Sequence, residues 1–340
     1  MTSNASIEIG LLTGDPEFPY EYGIDNRFGE AEIEAVERAA EAVESLAGYR
    51  ITRFDSHENL IERLRQQPPD LILNFCDAGY RNLLRNEANI PALLELLDIP
   101  YTGSDPVCMH LCSDKAMVRL VAAAHGIPVP NEKFVDLTAD PPALPDLYPA
   151  IIKPNDGCGS IGINRDSVVH DAVEAEACLR RLAAVSGRSQ ALIQDFLTGP
   201  EYTLGLVGNP HSGFTILPIL EIDYSELDPE LPPILSLGSK TDPDSAYWNA
   251  LSFRQADIDD ETRARMIEYS TWLFDRLGMR DYARIDFRAG ADGVPRLLDA
   301  NFNPTWNWDG KMATMAGWAG YDYADLLGLI LTSARQRYGI

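Results

Sequence analysis

The chain has 340 residues, more than one ordinary core organises, so two or three domains are the natural reading. Its 52 acidic against 28 basic residues leave a net charge of −24, which repels nucleic acid and anionic membranes, and neither is expected as a partner. With 45% apolar residues, no run approaching a membrane span, no basic-then-apolar leader and five scattered cysteines, a cytoplasmic protein with reduced thiols is expected.

Residues 7–12 (IEIGLL) read as a short strand, and a loop rich in Pro, Tyr, Gly and Asp runs on to Gly29. Residues 30–47 carry apolar positions at Ile33, Val36, Ala40 and Val43, which is helical spacing. A strand over 49–55, a helix over 57–67 and a strand over 70–76 continue a β-α-β-α-β alternation that predicts a parallel sheet flanked by helices. The first turn lacks a Gly-x-Gly-x-x-Gly pattern, so a nicotinamide cofactor is not expected. A helix over 91–97 leads into strand and turn over 99–104. Cys108 and Cys112 lack the spacing of usual zinc sites and read as the buried start of a helix.

Ser113 reads as the N-cap of a further helix whose buried face is Met117, Leu120, Val121 and Ala124, ending at Gly126. Lys115 falls in its first turn, where a cation opposes the helix dipole; a bound phosphate is one reason for such a placement. The chain has lysines only at 115, 133, 153, 240 and 311, so each is informative about an anionic ligand. A proline-rich connector over 141–149 leads to a strand over 150–154 that contains Lys153, followed by glycines 157, 159 and 162. Such a loop brings backbone N–H groups close to an anion, although glycine-rich turns are usually only turns. A helix near 171–184, strands over 191–197, 201–207 and 214–222, and a long loop over 225–250 containing Lys240 follow. Loops of that length are usually functional or mobile. Met266, Tyr269, Leu273 and Leu277 mark another helix, and helical segments near 310–319 and 323–337 close the chain.

Residues 282–288 (YARIDFR) and 297–304 (LLDANFNP) both read as strands, where side chains alternate between faces. Arg284 and Asp286 share one face of the first, with Ala283, Ile285 and Phe287 on the other. In the second, Asp299 and Asn301 oppose Leu298, Ala300 and Phe302. The turn signal at 290–293 (GADG) makes a hairpin of the two. Two carboxylates, an amide oxygen and a guanidinium then converge, and such oxygen donors suit Mg²⁺ with substrate phosphates. Two amphipathic strands with solvated polar faces explain the same alternation.

The order of motifs resembles the ATP-grasp superfamily, and within it the D-alanine–D-alanine ligases. The resemblance runs from about residue 90 onward. It rests on LLELLDIPYTGS at 93–104, Asp114-Lys115, IKP at 152–154, GPEYT at 199–203, YARIDF at 282–287 and LDAN at 298–301, in the family's order and spacing. It implies an α/β and α+β chain of three-domain ATP-grasp architecture. The N-terminal α/β domain would span 1–112, the central subdomain 113–198, and the C-terminal subdomain with the metal site 199–340. Carried over residue by residue, it puts Lys115 and Lys153 on ATP phosphates and Ser160 in the loop closing over them. The strand Gln194, Asp195, Phe196 and Leu197 would meet the adenine edge, and Glu201 would accept the ribose hydroxyls. Asp286, Asp299 and Asn301 would hold Mg²⁺, with Mn²⁺ as the alternative. Arg284 would face the transferred phosphoryl group, and Lys240 the γ-phosphate.

The implied activity is an ATP-dependent carboxylate–amine ligation through an acyl phosphate, acting on amino-acid-like small molecules, with a homodimer left open. Asp299 stands where the ligases mostly have Glu, and GCGS at 157–160 replaces their Glu-Gly-Ser-Ser loop. The stretches for the first and second D-alanine are not recognisable at 13–30 and 303–310, so D-alanine is not expected as both substrates. Trp306 and Trp308 in the second stretch fit core or substrate contact equally. A true D-alanine–D-alanine ligase and a nucleotide-binding protein without turnover remain the rival readings. Retention of Arg284 and all three metal-ligand positions argues against the latter.

Overall fold

A computed structural model of the chain describes residues 6–20, 26–139, 143–156, 160, 162–185, 189–236, 238–242 and 244–340. The first part contains β1 (Ile7–Leu12), α1 (Glu30–Ser45), β2 (Tyr49–Phe54), α2 (Leu60–Gln66), β3 (Leu71–Asn74), α3 (Asn89–Leu96), α4 (Pro106–Ser113) and α5 (Lys115–Ala124). Next come β4 (Glu132–Asp136), β5 (Ala150–Pro154), β6 (Val168–Val169), α6 (Ala172–Ala183) and β7 (Gln190–Asp195). The remainder contains β8 (Glu201–Asn209), β9 (Gly213–Ile216), β10 (Leu220–Asp223), α7 (Gly238–Thr241), β11 (Ser252–Gln255) and α8 (Asp260–Arg276). It ends with β12 (Tyr282–Ala289), β13 (Pro295–Asn301), α9 (Lys311–Trp318) and α10 (Tyr323–Tyr338). No described helix is long and apolar enough to cross a membrane.

Three sheets result. β2-β1-β3 is parallel, as the β-α-β alternation predicts, and β3 is buried throughout because helices cover both faces. β4-β7-β5-β6 is antiparallel. The largest sheet runs β11-β10-β8-β12-β13, with β9 also on β8. On one face of this sheet Tyr202, Leu204, Ile285 and Phe287 pack with Val118 of α5 and Leu273 and Phe274 of α8. On the other face Leu220, Ile222 and Tyr282 share a core with α9, α10, α1 and the first sheet.

The structure departs from the sequence reading in several places. The expected strand over 214–222 is broken: β9 pairs with the far end of β8 and β10 with its start, and Pro218, which has no N–H to donate, lies between them. His57 does not open a helix. It is fully buried, its N–H donates to Asp15 Oδ2, its Nδ1 accepts from Arg81 N–H at 2.7 Å, and Nε2 bonds Thr13 O at 2.9 Å. Ser113 ends α4 instead of capping α5, its hydroxyl donating to Met109 O, and the cap is Asp114, which accepts from Met117 N–H at 3.0 Å. Nor is the expected face of α5 the buried one. Met117 is 44% and Leu120 62% exposed, whereas Ala116, Val118, Arg119 and Ala122 turn inward.

One buried carboxylate joins distant parts of the chain. Asp281 accepts from Gly103 N–H at 2.9 Å, from Asn209 Nδ2 at 3.0 Å and from Arg337 Nε and Nη2 at 3.0 and 2.6 Å. Its backbone lies at a φ of 65°, a region where Asp and Asn fare better than other non-glycine residues. Asp281→Ala removes one partner of a buried ion pair and leaves several donors unmatched. It is expected to lower stability by about 3–5 kcal/mol, read as a shift in urea midpoint. A change under about 1 kcal/mol would show that this junction does not hold the parts together.

Candidate active site

The expected hairpin forms. β12 and β13 are antiparallel, with Arg284 opposite Asn301 and Asp286 opposite Asp299. Ala283, Ile285 and Phe287 are fully buried on the far side. The register shifts between Asp286 and Phe287, where Phe287 pairs with Leu297 and Leu298 becomes the extra residue of a bulge. Leu297 and Ala300 therefore fill the core, and Leu298 does not share Ala300's burial as simple alternation predicts.

Asp286 is the most heavily bonded group of the site. Arg284 donates to it from Nε at 3.1 Å and Nη2 at 3.0 Å, Thr203 Oγ1 at 2.8 Å and Asn301 Nδ2 at 2.9 Å. Burial alone raises this carboxyl, but Arg284 and Lys311 more than reverse that and hold it well below the usual range. Asp299 behaves likewise: burial pushes up, while Lys115, with Nζ at 2.9 Å, and then Lys153 and Arg119 bring it down. Both carboxylates are thus kept ionised. The Asn301 amide nitrogen is committed to Arg284 O and Asp286, which directs its other atom, the acceptor Oδ1, away from those bonds. Two ionised carboxylates and an amide oxygen are hard donors that fit a Mg²⁺ ion completing its shell with phosphates and water. Among the described residues no group of three or more His, Cys, Asp or Glu offers a richer cage.

Beside the hairpin lies a cluster of cations. Lys153, at the end of β5, is 7% exposed and has no carboxylate within ion-pairing distance among the described residues. Burial, then Arg119 and Lys115, push its ammonium well below the ordinary lysine range. Arg119 is anchored by Glu132 Oε2 at 3.3 Å and by Leu298 O, with its Nε buried and without a partner among the described residues. Glu132 also accepts from Gln194 Nε2 at 2.7 Å. Asp195 holds Asn131 through Oδ2, and Leu197 is buried at the exit of β7. Glu201 pairs with Arg288 at 3.3 Å and accepts from the Tyr224 hydroxyl at 2.9 Å. Ser160 has a φ of 67°, while residues 157–159 and 161 and the Lys240 side chain lie outside the described residues.

Sequence reading missed Thr203, Arg119, Glu132, Arg288 and Lys311. Thr203 and Arg288 each lie two residues along a strand from a predicted site residue, so extending the period-two pattern finds them. Lys311 was marked only as one of five scarce lysines, and no local pattern gave it a role. It opens α9, its Nζ lies 3.4 Å from Thr203 Oγ1 and 5.6 Å from the Phe253 ring centroid, and burial lowers its proton affinity despite Asp286 nearby.

Parts of the two stretches expected to hold substrates are pinned by hydrogen bonds and packing, while residues 21–25 of the first lie outside the described residues. Asn82 bonds the backbone of Asp15 and Phe18, and Asp15 accepts from His57 N–H. Trp306 is buried and stacks on Phe75 with centroids 4.2 Å apart and planes 3° from parallel, so it belongs to the core. Its Nε1 has no partner among the described residues. Trp308 is 40% exposed under the Arg38 guanidinium. Asn303 connects Tyr282 OH at 2.6 Å to Glu87 at 2.9 Å, and burial pushes Glu87 up to about 8 and nearby Asp77 up to about 6.

Comparison with known proteins gives concordant matches. The family model described as D-ala D-ala ligase C-terminus matches residues 144–332. An uncharacterized protein of Sinorhizobium fredii, y4sG, is 26% identical over 336 residues, covering 93% of this chain and 94% of that protein. A D-alanine–D-alanine ligase of Bordetella petrii is 27% identical over 292 residues, 85% of this chain and 83% of the ligase. The crystal structure of D-alanine–D-alanine ligase from Bacillus anthracis complexed with ATP superposes with a TM-score of 0.71 at 20% identity. It covers 97% of this chain and 98% of that one, so the fold is shared over the whole length.

The depressed Lys153 ammonium gives a pH signature. An anion beside it restores its proton affinity, so binding a polyphosphate takes up a proton wherever the free lysine is partly neutral. Affinity for ATP is expected to weaken as pH rises through the depressed value. Calorimetry at alkaline pH, in buffers of different ionisation enthalpy, should report net proton uptake. Lys153→Met should bind more weakly and lose that uptake. Uptake equal to wild type in the variant would remove Lys153 from the anion site.

Proposed function

Since the chain belongs to the D-alanine–D-alanine ligase family of ATP-grasp proteins, we propose that it is an ATP-dependent carboxylate–amine ligase joining amino acids or similar small molecules. The observation that carries the reading is the single face on which Arg284, Asp286, Asp299 and Asn301 meet, bordered by Lys115, Lys153 and Arg119. Phosphoryl transfer asks a protein chiefly for positioning and charge neutralisation.

In this reading Lys115 and Lys153 bind phosphate oxygens, with Ser160 and Lys240 closing over them. Gln194, Asp195, Phe196 and Leu197 border the adenine, and Glu201 accepts the sugar hydroxyls. Mg²⁺, or Mn²⁺, held by Asp286, Asp299 and Asn301 would neutralise phosphate charge. Lys115 must then share or release Asp299, exchanging one ionic partner for another. Arg284, fixed by its two bonds to Asp286, would meet the carboxylate being phosphorylated and stabilise the oxyanion once the amine attacks.

D-alanine as both substrates is the rival reading, favoured by the names of the relatives. Against it stand the Asp15–Asn82–His57 pinning of the first loop and the Trp306–Phe75 stack in the second segment. A pocket built for one set of polar groups rejects a substrate that leaves them unmatched.

Phosphate release measured over pairs of amino acids, with hydroxylamine as a trap, tests the reaction. The accepted acid should yield a hydroxamate and ADP, and AMP as product would overturn the mechanism. Rapid D-alanyl-D-alanine synthesis would reverse the substrate reading alone. Arg284→Met is expected to lower kcat by on the order of 100-fold or more. Asp286→Asn should stop turnover with circular dichroism unchanged, and wild-type turnover in that variant excludes the assigned metal site.

A further inference from the structure

Arg288 follows Asp286 on the same face of β12, and the ligation chemistry above makes no use of it. It is 5% exposed. A guanidinium taken this far out of water persists only where its donors are matched. The matches here come from separate parts of the chain. Nη1 donates to Glu201 Oε2 at 3.3 Å and to Pro233 O at 2.6 Å, and Nε donates to Gly199 O at 3.2 Å. The guanidinium carbon also lies 5.2 Å from the Phe196 ring centroid and 5.5 Å from that of Tyr224. Tyr224 in turn donates its hydroxyl to the same oxygen of Glu201.

We infer that Arg288 is the positioning residue for Glu201, and through it sets how strongly the site distinguishes a nucleotide with a complete ribose diol from one lacking a hydroxyl. The inference rests on the assignment of Glu201 to the sugar hydroxyls. Both donors reach Oε2, so the carboxylate is held from one side and Oε1 is kept as the acceptor for the diol. The remaining anchors serve the same end. Phe196 belongs to the segment assigned to the adenine edge and Gly199 follows it, and Pro233 and Tyr224 belong to the segment after β10. One planar side chain thus fixes the sugar acceptor relative to the base strand and to the following loop. Lysine cannot reproduce this, because a single ammonium on a flexible stem cannot reach Glu201, Gly199 O and Pro233 O with a rigid fork.

Titration calorimetry with ATP and with 2′-deoxy-ATP, in the presence of Mg²⁺, tests the inference without knowledge of the amino-acid substrate. Wild type should prefer ATP by on the order of tenfold, the usual worth of a hydrogen bond to a charged group. Arg288→Met should bind ATP as weakly as the deoxynucleotide while its affinity for the deoxynucleotide stays within about twofold, and Arg288→Lys should give an intermediate ratio. A purely structural arginine would weaken both nucleotides together and leave the ratio intact. Arg296→Gln, in the exposed pair with Asp292 at the hairpin turn, serves as the control with a wild-type ratio. Glu201→Gln separates the two levels. A wild-type ratio there overturns the sugar assignment and the inference with it. A ratio lost in Glu201→Gln but retained in Arg288→Lys and Arg288→Met overturns the inference alone. If the methionine variant does not fold, the lysine variant decides: a wild-type ratio sinks the idea and a reduced one supports it.

Discussion

Two carboxylates of like charge face each other across neighbouring strands at Asp286 and Asp299, and such pairs repel. Keeping both ionised is the condition that the rest of the site satisfies. Arg284 clasps the first and Lys115 the second. Among the described residues, six cations around them, Lys115, Arg119, Lys153, Arg284, Arg288 and Lys311, face four carboxylates, Glu132, Glu201, Asp286 and Asp299. The excess is positive, in a chain whose net charge is −24. On the proposed reading, a polyphosphate would be drawn to one local field against the sign of the whole molecule.

Helix α5 shows what this arrangement costs. Its apolar residues Met117 and Leu120 are left in water so that Arg119 can turn inward to Glu132 and Leu298 O. A helix governed by its own amphipathicity would have turned the other way. The bulge at Leu298 is a second concession, since it breaks the ladder just where a carbonyl is offered to Arg119. Local rules give way at the site, where charge matching outweighs them.

The substrate side is governed by packing. The Phe75–Trp306 stack ties residues 303–310 to the end of the first sheet, and Asn303 extends the connection to Glu87 and Tyr282. His57 and Asn82 hold the turn after β1. The faces proposed for the nucleotide and for the amino acids thus rest on different interactions, ionic in one case and aromatic and amide in the other. The first can persist while the second is remodelled.

Local pattern in the sequence determined the parallel first sheet, the β12–β13 hairpin and the shared face of Arg284, Asp286, Asp299 and Asn301, because strand periodicity and turn chemistry act between near neighbours. Helix and loop chemistry also marked Lys115 and Lys153 for an anion, and motif resemblance gave them to ATP phosphates and added Glu201. Tertiary structure alone decided the bulge at Leu298, the inward turn of Arg119, the capping of α5 by Asp114 in place of Ser113, and the arrival of Lys311 beside Thr203. Lys115 meets Asp299 across 184 positions of chain, and Lys311 meets Thr203 across 108. No period or cap spans such distances. Which charges meet there is set by how the sheets and helices bury their apolar faces, and only the assembled fold specifies that.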